Sequence, residues 1–360
     1  MSEIAVNGRF LTRPATGVDR FAIELLRAWL PRFGSDAPVK TLVPSHSELR
    51  DAGGLHLAPS QVGALRGHLW EQLELSSHCG DALLLSLCNT GPIMRRRQLA
   101  VLHDAGVMVR PRTYSFAFRS WYRWLLAGLM KNADTVATVS RFSASELMRH
   151  VGRRASGIEL IPGAGEHVLR AAADKRILQR IGIADRPYVL AVGSNTPNKN
   201  FSGVVRAMSL LTDLDCRVVA AGGANPRVFG GVDLARDALV MAGYVTDGEL
   251  RALYENAACF VFPSFYEGFG LPPLEAMHCG CPVVVSDRAS LPEVCADAAV
   301  YCDPDDPADI ARQLRLVLTT ASLRRELREA GFARARCFSW QRSADRLDEL
   351  LSLDGLRAAA

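Results

Sequence analysis

The sequence lacks the features that mark membrane-spanning and secreted chains. Among its 360 residues no apolar run approaches the ~20 residues that a spanning helix needs, and the most apolar window, 121–130, is interrupted by Arg123. The N-terminal residues show no basic segment followed by an apolar one, so no secretory signal is predicted. We therefore expect a cytoplasmic protein.

Paired cysteines are also missing. The chain has nine cysteines, none in a CxxC pair, and the closest two are Cys279 and Cys281. This spacing does not suit a structural zinc site. We expect the thiols to act as small apolar side chains in a reducing compartment.

The chain has little excess of positive over negative charge, but positive charge is concentrated in one segment. The net charge of +4 is too small to predict a nucleic-acid partner. Residues 90–131, however, carry eight cations against one acid, with six aromatic residues interleaved. An anionic membrane surface suits this mixture, and so does a solvated basic face beside a buried aromatic stripe. The residues concerned are Arg95, Arg96, Arg97, Arg110, Arg112, Arg119, Arg123 and Lys131, with Tyr114, Phe116, Phe118, Trp121, Tyr122 and Trp124.

Short apolar runs alternate with helical segments along the chain. This alternation is typical of parallel sheets covered on both faces, so we predict an α/β fold with Rossmann-like domains. The predicted strands are residues 4–7, 39–44, 82–86, 99–103 and 135–140 in the first half and 188–193, 216–223, 239–244, 259–263, 282–286 and 300–302 in the second. The predicted helices are residues 18–30, 247–257, 272–279 and 307–319.

Domain boundaries follow from composition and periodicity. Residues 160–186 carry glycine, alanine and charged residues and are predicted to link the two sheets. The predicted domains are 1–165 and 166–338. Residues 339–360 form an amphipathic helix that we expect to return to the first domain. Its apolar face consists of Trp340, Ala344, Leu347, Leu350 and Leu351.

The segment with the most specific chemistry contains two glutamates eight positions apart, Glu267 and Glu275. They bracket a Gly-Phe-Gly turn and a double proline that begins a helix. Free amides at a helix N-terminus suit a diphosphate, and both carboxylates can accept hydrogen bonds from sugar hydroxyls. Tight packing explains a Gly-Phe-Gly turn, but it does not readily explain two carboxylates around it.

Residues 267–275, EGFGLPPLE, resemble the E-x7-E motif of the retaining GT-B glycosyltransferases, a large family that includes bacterial mannosyltransferases. Further segments resemble that family in the expected order: residues 7–12 with 16–20, 101–104, 138–143 and 193–200. The resemblance implies a GT-B fold, in which two Rossmann-like domains face each other across a cleft. It also implies that the first domain binds the acceptor and the second binds a nucleotide-sugar donor.

The resemblance implies a role for individual residues. Lys199 would neutralise the diphosphate, whose negative charge grows in the transition state. Glu275 would hold the ribose hydroxyls and Glu267 the transferred sugar, while His103 would reach that sugar from the first domain. Retention needs no water-activating base, so none is assigned, and Asp104 is the nearest carboxylate candidate.

The predicted donor-binding set also includes residues that contribute mainly backbone groups. An arginine often accompanies the lysine in this family, but Ser194 and Asn198 stand where it is expected, and Arg141 or Arg20 are possible substitutes. The donor-binding set is Gly17, Gly193, Ser194, Gly268, Phe269, Gly270, Leu271 and Glu275.

A DxD sequence at Asp303 and Asp305 imitates the metal-binding motif of another glycosyltransferase fold. Asp306 immediately precedes a helix and is predicted to cap it. We therefore expect no metal and no cofactor.

Together these observations predict a retaining hexosyltransferase of surface polysaccharide synthesis, associated with the inner face of the membrane. The best guess is mannose transfer from GDP-mannose to a lipid-linked (polyprenyl) oligosaccharide or a lipopolysaccharide acceptor, with UDP-glucose and dTDP-rhamnose as open donors. A nucleotide-sugar epimerase and a decayed nucleotide-sugar-binding subunit are the alternatives. A dehydrogenase is disfavoured because no GxGxxG follows a strand.

Overall fold

A computed structural model describes residues 3–36, 38–50, 52–55, 57–152, 154, 156–194, 196–223 and 239–357. The chain forms two compact units. Unit 1 comprises Met1–Gly163 with Trp340–Ala360, and unit 2 comprises Ala164–Ser339. Each unit contains a sheet whose described strands are all parallel, so the predicted α/β fold class is confirmed.

The sheet of unit 1 has the strand order β3-β2-β1-β4-β5-β6-β7. Its central strands coincide with predicted apolar runs, whereas β3 and β7 were not predicted. The β3 sequence, PSQV, has no apolar run because this edge strand is largely exposed, and β7 has only two residues. The strands are β1 (Ile4–Asn7), β2 (Val39–Pro44), β3 (Pro59–Val62), β4 (Leu83–Ser86), β5 (Gln98–Val101), β6 (Thr135–Thr138) and β7 (Glu159–Leu160).

Helices connect these strands. Many begin at a serine or threonine cap, as at Ser115 and Ser140, whose hydroxyls accept a hydrogen bond from the amide three residues later. The helices of unit 1 are α1 (Gly17–Trp29), α2 (Gly67–Leu73), α3 (Leu75–Cys79), α4 (Gly106–Val109), α5 (Phe116–Asn132) and α6 (Arg141–His150), with α14 (Trp340–Arg357) from the end of the chain.

The C-terminal helix α14 packs against α1 within unit 1. Trp340 and Leu347 are buried, and the Trp340 ring meets the Phe21 ring edge-on at 5.7 Å between centroids. Trp29 Nε1 donates to Asp348 Oδ1 at 2.5 Å. Unit 1 is therefore built from both ends of the chain.

Helix α5 contains most of the aromatic residues of the basic segment. Its C-terminal half is buried through Leu125 and Leu129, but Phe116 is 74% exposed and Trp124 is 54% exposed. The aromatic stripe is therefore only partly buried. No helix within the described ranges is long and apolar enough to cross a membrane.

The sheet of unit 2 has the strand order β10-β9-β8-β11-β12-β13. All of its strands follow predicted apolar runs. They are β8 (Tyr188–Val192), β9 (Arg217–Ala221), β10 (Leu239–Gly243), β11 (Cys259–Phe262), β12 (Val283–Ser286) and β13 (Val300–Cys302). The helices are α7 (Arg176–Arg180), α8 (Phe201–Ser209), α9 (Asp247–Asn256), α10 (Leu271–His278), α11 (Leu291–Cys295), α12 (Pro307–Thr319) and α13 (Ala321–Ala335).

Alternate residues of these strands pack on opposite faces of the sheet. Val189 and Val261 belong to a core cluster with residues of α8 and α12. Phe260 belongs to the other face, where its ring meets the Tyr254 ring of α9 edge-on at 5.4 Å. The segment predicted as a linker, residues 160–186, contributes buried Ile177 to unit 2, so much of it is packed.

Leu347→Ala tests whether α14 stabilises unit 1. Removing this fully buried side chain should lower the free energy of unfolding of unit 1 by about 2–5 kcal/mol, because a cavity replaces packed methyl groups. Urea unfolding followed by tryptophan fluorescence reports on unit 1 alone, since all the tryptophans lie there. Gln341→Ala, on the exposed face of α14, is the control. Equal midpoints for the two variants would contradict the role of α14. The tryptophans are Trp29, Trp70, Trp121, Trp124 and Trp340.

Candidate active site

The predicted donor residues of unit 2 lie where the strand order reverses. Strands β8 and β11 are neighbours, and the chain moves outward from them in opposite directions to β9 and to β12. The loops that follow two such strands diverge and leave a crevice at the carboxyl edge of a parallel sheet. Lys199 lies in the loop after β8, and Glu267 lies in the loop after β11.

Lys199 and Glu267 are in direct contact. Lys199 Nζ donates to Glu267 Oε1 at 2.7 Å, and the two side chains retain 20% and 13% exposure. The same ammonium lies 4.8 Å from the centroid of the Phe262 ring, at the end of β11. A cation at this distance from a ring face is attracted to the ring. The structure thus brings together two residues that are 68 positions apart in sequence.

Local backbone geometry positions Lys199. Residues Pro197–Lys199 form a single 3-10 turn, and Asn200 then adopts the left-handed conformation with φ of 54°. Asparagine tolerates this conformation, and its Oδ1 accepts from the Gly203 amide to cap α8. The amide of Phe265 donates to the Asn198 carbonyl at 2.9 Å, which ties the two loops together.

Gly193 leaves room for the lysine side chain. A Cβ at Gly193 would lie 3.2 Å from Lys199 Cγ and 3.3 Å from Cδ, closer than ordinary van der Waals contact. Its neighbour Ser194 is exposed, with Oγ 3.5 Å from Thr196 Oγ1. Gly193 therefore packs along Lys199, and Ser194 lies at the surface of the loop.

Ser290 holds the turn between the two glutamates. This fully buried hydroxyl lies 3.0 Å from the Glu267 carbonyl and 2.7 Å from the Phe269 carbonyl. Gly270 has φ of 112°, which strongly favours glycine, and precedes α10. The Phe269 ring is buried edge-on against the Phe338 ring at 5.6 Å.

The double proline limits which amides of α10 can meet a ligand. Pro272 and Pro273 occupy the first turn and have no N–H group, so they remove two donors that the N-terminus would otherwise offer. The other amides around the turn are those of Gly268, Phe269, Gly270 and Leu271. An anion at this turn would therefore meet the glycine turn more than the helix itself.

Glu275 is more enclosed than Glu267. It is 7% exposed, with Oε1 3.0 Å from His167 Nε2 and Oε2 3.0 Å from the Tyr254 hydroxyl. Burial, together with the nearby carboxylate, raises the pKa of Tyr254 well above its usual value, so the phenol stays protonated and donates. Each carboxylate oxygen has two lone pairs, so a carboxylate can accept several hydrogen bonds at once.

His167 and Tyr254 were not predicted as part of the site. A lone histidine 108 positions from Glu275 gives no sequence signal, and a tyrosine on α9 matches the apolar pattern of a core residue. Only the packing of the segment around Gly165 against α10 reveals the contact. A Cβ at Gly165 would lie 2.7 Å from the backbone nitrogen of Glu275, so the two backbones approach closely.

The remaining predicted residues, His103, Asp104 and Gly17, lie in unit 1. His103 follows β5, with its backbone amide bonded to Asn89 Oδ1 at 2.5 Å. Burial lowers its pKa to about 4, so the ring is neutral near pH 7. Since Nε2 lies 2.9 Å from the Leu87 carbonyl, which only accepts, the proton is on Nε2 and Nδ1 is an acceptor.

Asp104 and Gly17 each lie at a helix N-terminus. Asp104 Oδ1 accepts from the Gly106 amide at 2.7 Å, at the start of α4. Gly17 is the first residue of α1, has no left-handed φ, and has open space where a Cβ would project. The fold of unit 1 therefore does not require glycine at position 17.

The structure also describes the cations considered as substitutes for the missing arginine. Arg20 pairs with Glu24 at 3.6 Å and Arg141 begins α6, both in unit 1. Sequence reasoning overlooked Arg288, which follows β12 at the carboxyl edge of the unit 2 sheet. Its guanidinium bonds Asp287 and Asp303, both at 2.9 Å.

The DxD segment is engaged within the protein. Asp303 bonds Arg288, and Asp305 lies 3.5 Å from the same guanidinium. Asp306 Oδ1 accepts from the Ala308 amide at 2.9 Å, which confirms the predicted cap of α12. Among the described residues no group of three acidic, histidine or cysteine side chains has metal-binding geometry.

Unit 1 has a buried polar cluster at its own point of strand-order reversal, between β1 and β4, which the sequence did not reveal. Glu71 Oε1 accepts from Asn7 Nδ2 at 2.6 Å and from the Thr90 hydroxyl at 2.8 Å, and lies 3.4 Å from Arg9 Nε. Burial favours the neutral acid, but Arg9 and the hydrogen bonds outweigh it and lower the pKa of Glu71. This carboxylate is therefore buried in its charged form.

Comparison with known proteins identifies the family. The model of the family "Glycosyl transferases group 1" matches residues 174–334. O-antigen chain mannosyltransferase B of Escherichia coli is 32% identical over 267 residues, which cover 69% of this chain and 68% of that protein. The chain belongs to the group 1 glycosyl transferases. It is a glycosyltransferase, and the alternatives of an epimerase and a decayed subunit are not favoured.

Other relatives of this group 1 glycosyl transferase support the same assignment. Serotype-specific mannosyltransferase WbdA of E. coli is 32% identical over 265 residues, but the match covers 69% of this chain and only 32% of WbdA, so the chain spans about a third of that relative. Among solved structures, sucrose-phosphate synthase from Thermosynechococcus elongatus has a TM-score of 0.75 at 21% identity, covering 99% of both chains. Anabaena HepE, solved with UDP and glucose, has a TM-score of 0.77 at 15% identity, covering 98% of this chain and 100% of that one. These likenesses confirm the GT-B fold.

His103→Gln tests the buried neutral histidine. The folded protein resists protonation of His103 down to about pH 4, whereas the unfolded chain takes up the proton below about pH 6.5. Unit 1 should therefore lose about 2 kcal/mol of stability through this group between pH 7 and pH 5. In the variant, the free energy of unfolding from tryptophan-monitored urea unfolding should fall by about 2 kcal/mol less between pH 7 and pH 5 than in the wild type. Identical pH profiles would show that His103 titrates normally.

Proposed function

We propose that the chain is a retaining mannosyltransferase that uses GDP-mannose and extends a saccharide acceptor of the O-antigen type. The names of its relatives support the sugar and the pathway, since the E. coli protein that is 32% identical is an O-antigen chain mannosyltransferase. The observation that carries the proposal is the contact between Lys199 and Glu267 at the point where the strand order of unit 2 reverses.

In this proposal Lys199 binds the donor diphosphate. An ammonium group has three N–H donors, and the contact with Glu267 uses one of them. The other two can meet phosphate oxygens as the leaving nucleotide accumulates charge. Glu267 holds the ammonium in place, and its second oxygen can accept a hydrogen bond from a hydroxyl of the transferred sugar. The glycine turn is proposed to add backbone donors at Phe269, Gly270 and Leu271, and Ser194 to add its hydroxyl. The Gly193 amide donates to the Ala221 carbonyl at 3.1 Å, so Gly193 provides space for Lys199 and not a donor.

Glu275 is proposed to bind the ribose hydroxyls, with His167 and Tyr254 as positioning residues. Its two oxygens are fixed in orientation by these hydrogen bonds. A fixed carboxylate binds a diol with little loss of side-chain entropy. In this proposal the buried glutamate serves a ligand as well as the fold.

We further propose that the reaction retains the anomeric configuration and needs no metal. Lys199 supplies the positive charge that a metal ion would otherwise supply beside the leaving group. Asp303 and Asp305 contact Arg288 instead of forming an open pair of carboxylates. The leaving phosphate accepts the proton of the acceptor hydroxyl in the mechanism that the family resemblance implies. His103 is proposed to reach the transferred sugar and Gly17 to let the backbone approach the phosphates. Asp104 stays the nearest carboxylate candidate for a base.

Unit 1 is proposed to bind the acceptor and to contact an anionic membrane surface on the inner face. The exposed rings of Phe116 and Trp124 and the arginines of α5 support this contact, because interfacial aromatics and cations both gain at such a surface. A lipid-linked saccharide would then be within reach of a peripheral enzyme. No nucleic-acid partner is proposed.

A calorimetric screen with GDP, UDP and dTDP and their sugars tests the donor. GDP-mannose should bind most tightly, and transfer to a mannose-containing acceptor should give an α-linked product by NMR, because the donor is α-linked. Lys199→Met should weaken GDP binding about 10- to 100-fold, the effect of losing a charged hydrogen bond. The matched control is Lys175→Met, an exposed lysine of the same unit. Preference for UDP or dTDP would refute GDP-mannose, and equal effects of both lysines would refute the site.

A comparison of GDP with an analogue that lacks the ribose hydroxyls tests Glu275 and His167. Glu275→Gln and His167→Gln should each weaken GDP binding by roughly 10-fold, about 1.5 kcal/mol, because the carboxylate is lost or loses its alignment. Neither substitution should change the affinity for 2′,3′-dideoxy-GDP, which lacks both hydroxyls. Equal losses for GDP and for its dideoxy analogue would show that the two residues support only the fold.

A further inference from the structure

We propose that a cavity in unit 1 binds the phosphate group of a membrane lipid. The cavity has a volume of about 330 Å³. It lies among α4, the 3-10 turn Pro111–Thr113, α5 and the end of α6, and is separate from the proposed donor site of unit 2. The inference rests on the membrane contact proposed above and names the chemical group that this contact recognises. The cavity is lined by Val107, Met108, Pro111, Arg119, Arg123 and His150.

The charge around this cavity favours an anion. Arg119 and Arg123 are four residues apart and therefore share one side of α5. Within the described part of the chain, neither guanidinium forms an ion pair with a carboxylate. A Glu146 carboxylate oxygen lies 3.5 Å from His150 Nε2, and this carboxylate also lies 3.8 Å from Arg149. The two lining arginines thus remain available for a ligand.

The chemistry of the lining groups suits a phosphate ester. Guanidinium groups bind phosphate through paired hydrogen bonds, which a lone ammonium cannot provide. The other lining residues, Val107, Met108 and Pro111, are apolar and suit the carbon atoms that follow an esterified phosphate. A volume of about 330 Å³ is at the lower end of the range for small-molecule sites, which suits a head group rather than a whole nucleotide-sugar.

The position of the cavity relates it to the membrane. The exposed rings of Phe116 and Trp124 belong to the same helix as the two arginines, and the Arg119 guanidinium lies 5.5 Å from the centroid of the Phe116 ring. Aromatic side chains of this kind settle at the level of the lipid head groups. When they do so, Arg119 and Arg123 lie at the depth of the lipid phosphates.

Vesicle flotation tests this assignment. The full-length protein should bind phosphatidylcholine vesicles that contain phosphatidic acid more tightly than vesicles given the same surface charge by oleate, a carboxylate. Arg119→Gln/Arg123→Gln should weaken binding to the phosphatidic acid vesicles by about 30-fold or more, since each basic group at the surface contributes about fivefold. The control pair Arg50→Gln/Arg66→Gln removes the same charge from exposed positions outside the cavity and outside the basic segment, and should change binding by less than about threefold.

Several outcomes would overturn the assignment. Failure of the wild type to bind the phosphatidic acid vesicles, equal binding to the oleate vesicles, or equal losses for both arginine pairs would each do so. Unchanged GDP affinity and tryptophan fluorescence would show that the variants are folded, and because GDP binding is measured in the same preparations, failure of this inference is distinguishable from failure of the donor assignment.

Calorimetry with inorganic phosphate separates the two sources of the anion. Absence of saturable binding without vesicles supports the lipid phosphate. Saturable binding as tight as that to vesicles, and lost in Arg119→Gln/Arg123→Gln, would overturn the lipid as the ligand and assign a free anion.

Discussion

The contact between Lys199 and Glu267 depends on the reversal of strand order in the sheet of unit 2. Because β8 and β11 are parallel neighbours, the loops that follow them begin at the same edge and diverge from there. The lysine and the glutamate meet in the space between the loops, and Phe262 supports the ammonium. The other contacts described for the site, such as those of Asn200 and Ser290, hold these two loops in place.

The two glutamates of the motif occupy different environments. Glu267 lies on a loop, where the Lys199 ammonium balances its charge. Glu275 lies on a helix and receives hydrogen bonds from His167 and Tyr254. A buried carboxylate is stable only when it has such donors, because desolvation of an unpartnered charge is costly. The fold therefore holds the Glu275 carboxylate in a fixed orientation.

Much of the fold could be predicted because a parallel strand buried on both faces is a continuous apolar run. Runs such as residues 259–263 and 282–286 became strands with little error, and α12 has the predicted bounds. The pattern fails where burial is partial. The edge strand β3 is too polar to recognise, and residues 164–186 resemble a linker although they fold into unit 2.

The amino-acid sequence alone pointed to the residues that we propose carry the chemistry, because paired glutamates around a glycine turn and a lysine after a strand have few structural explanations. Their partners were decided by the folded chain. His167 with Glu275, Glu71 with Arg9, and the arginines of α5 around a cavity are contacts between segments far apart in sequence or on different helices. Local patterns encode periodicity and turn geometry, whereas such contacts arise only when separate elements pack together.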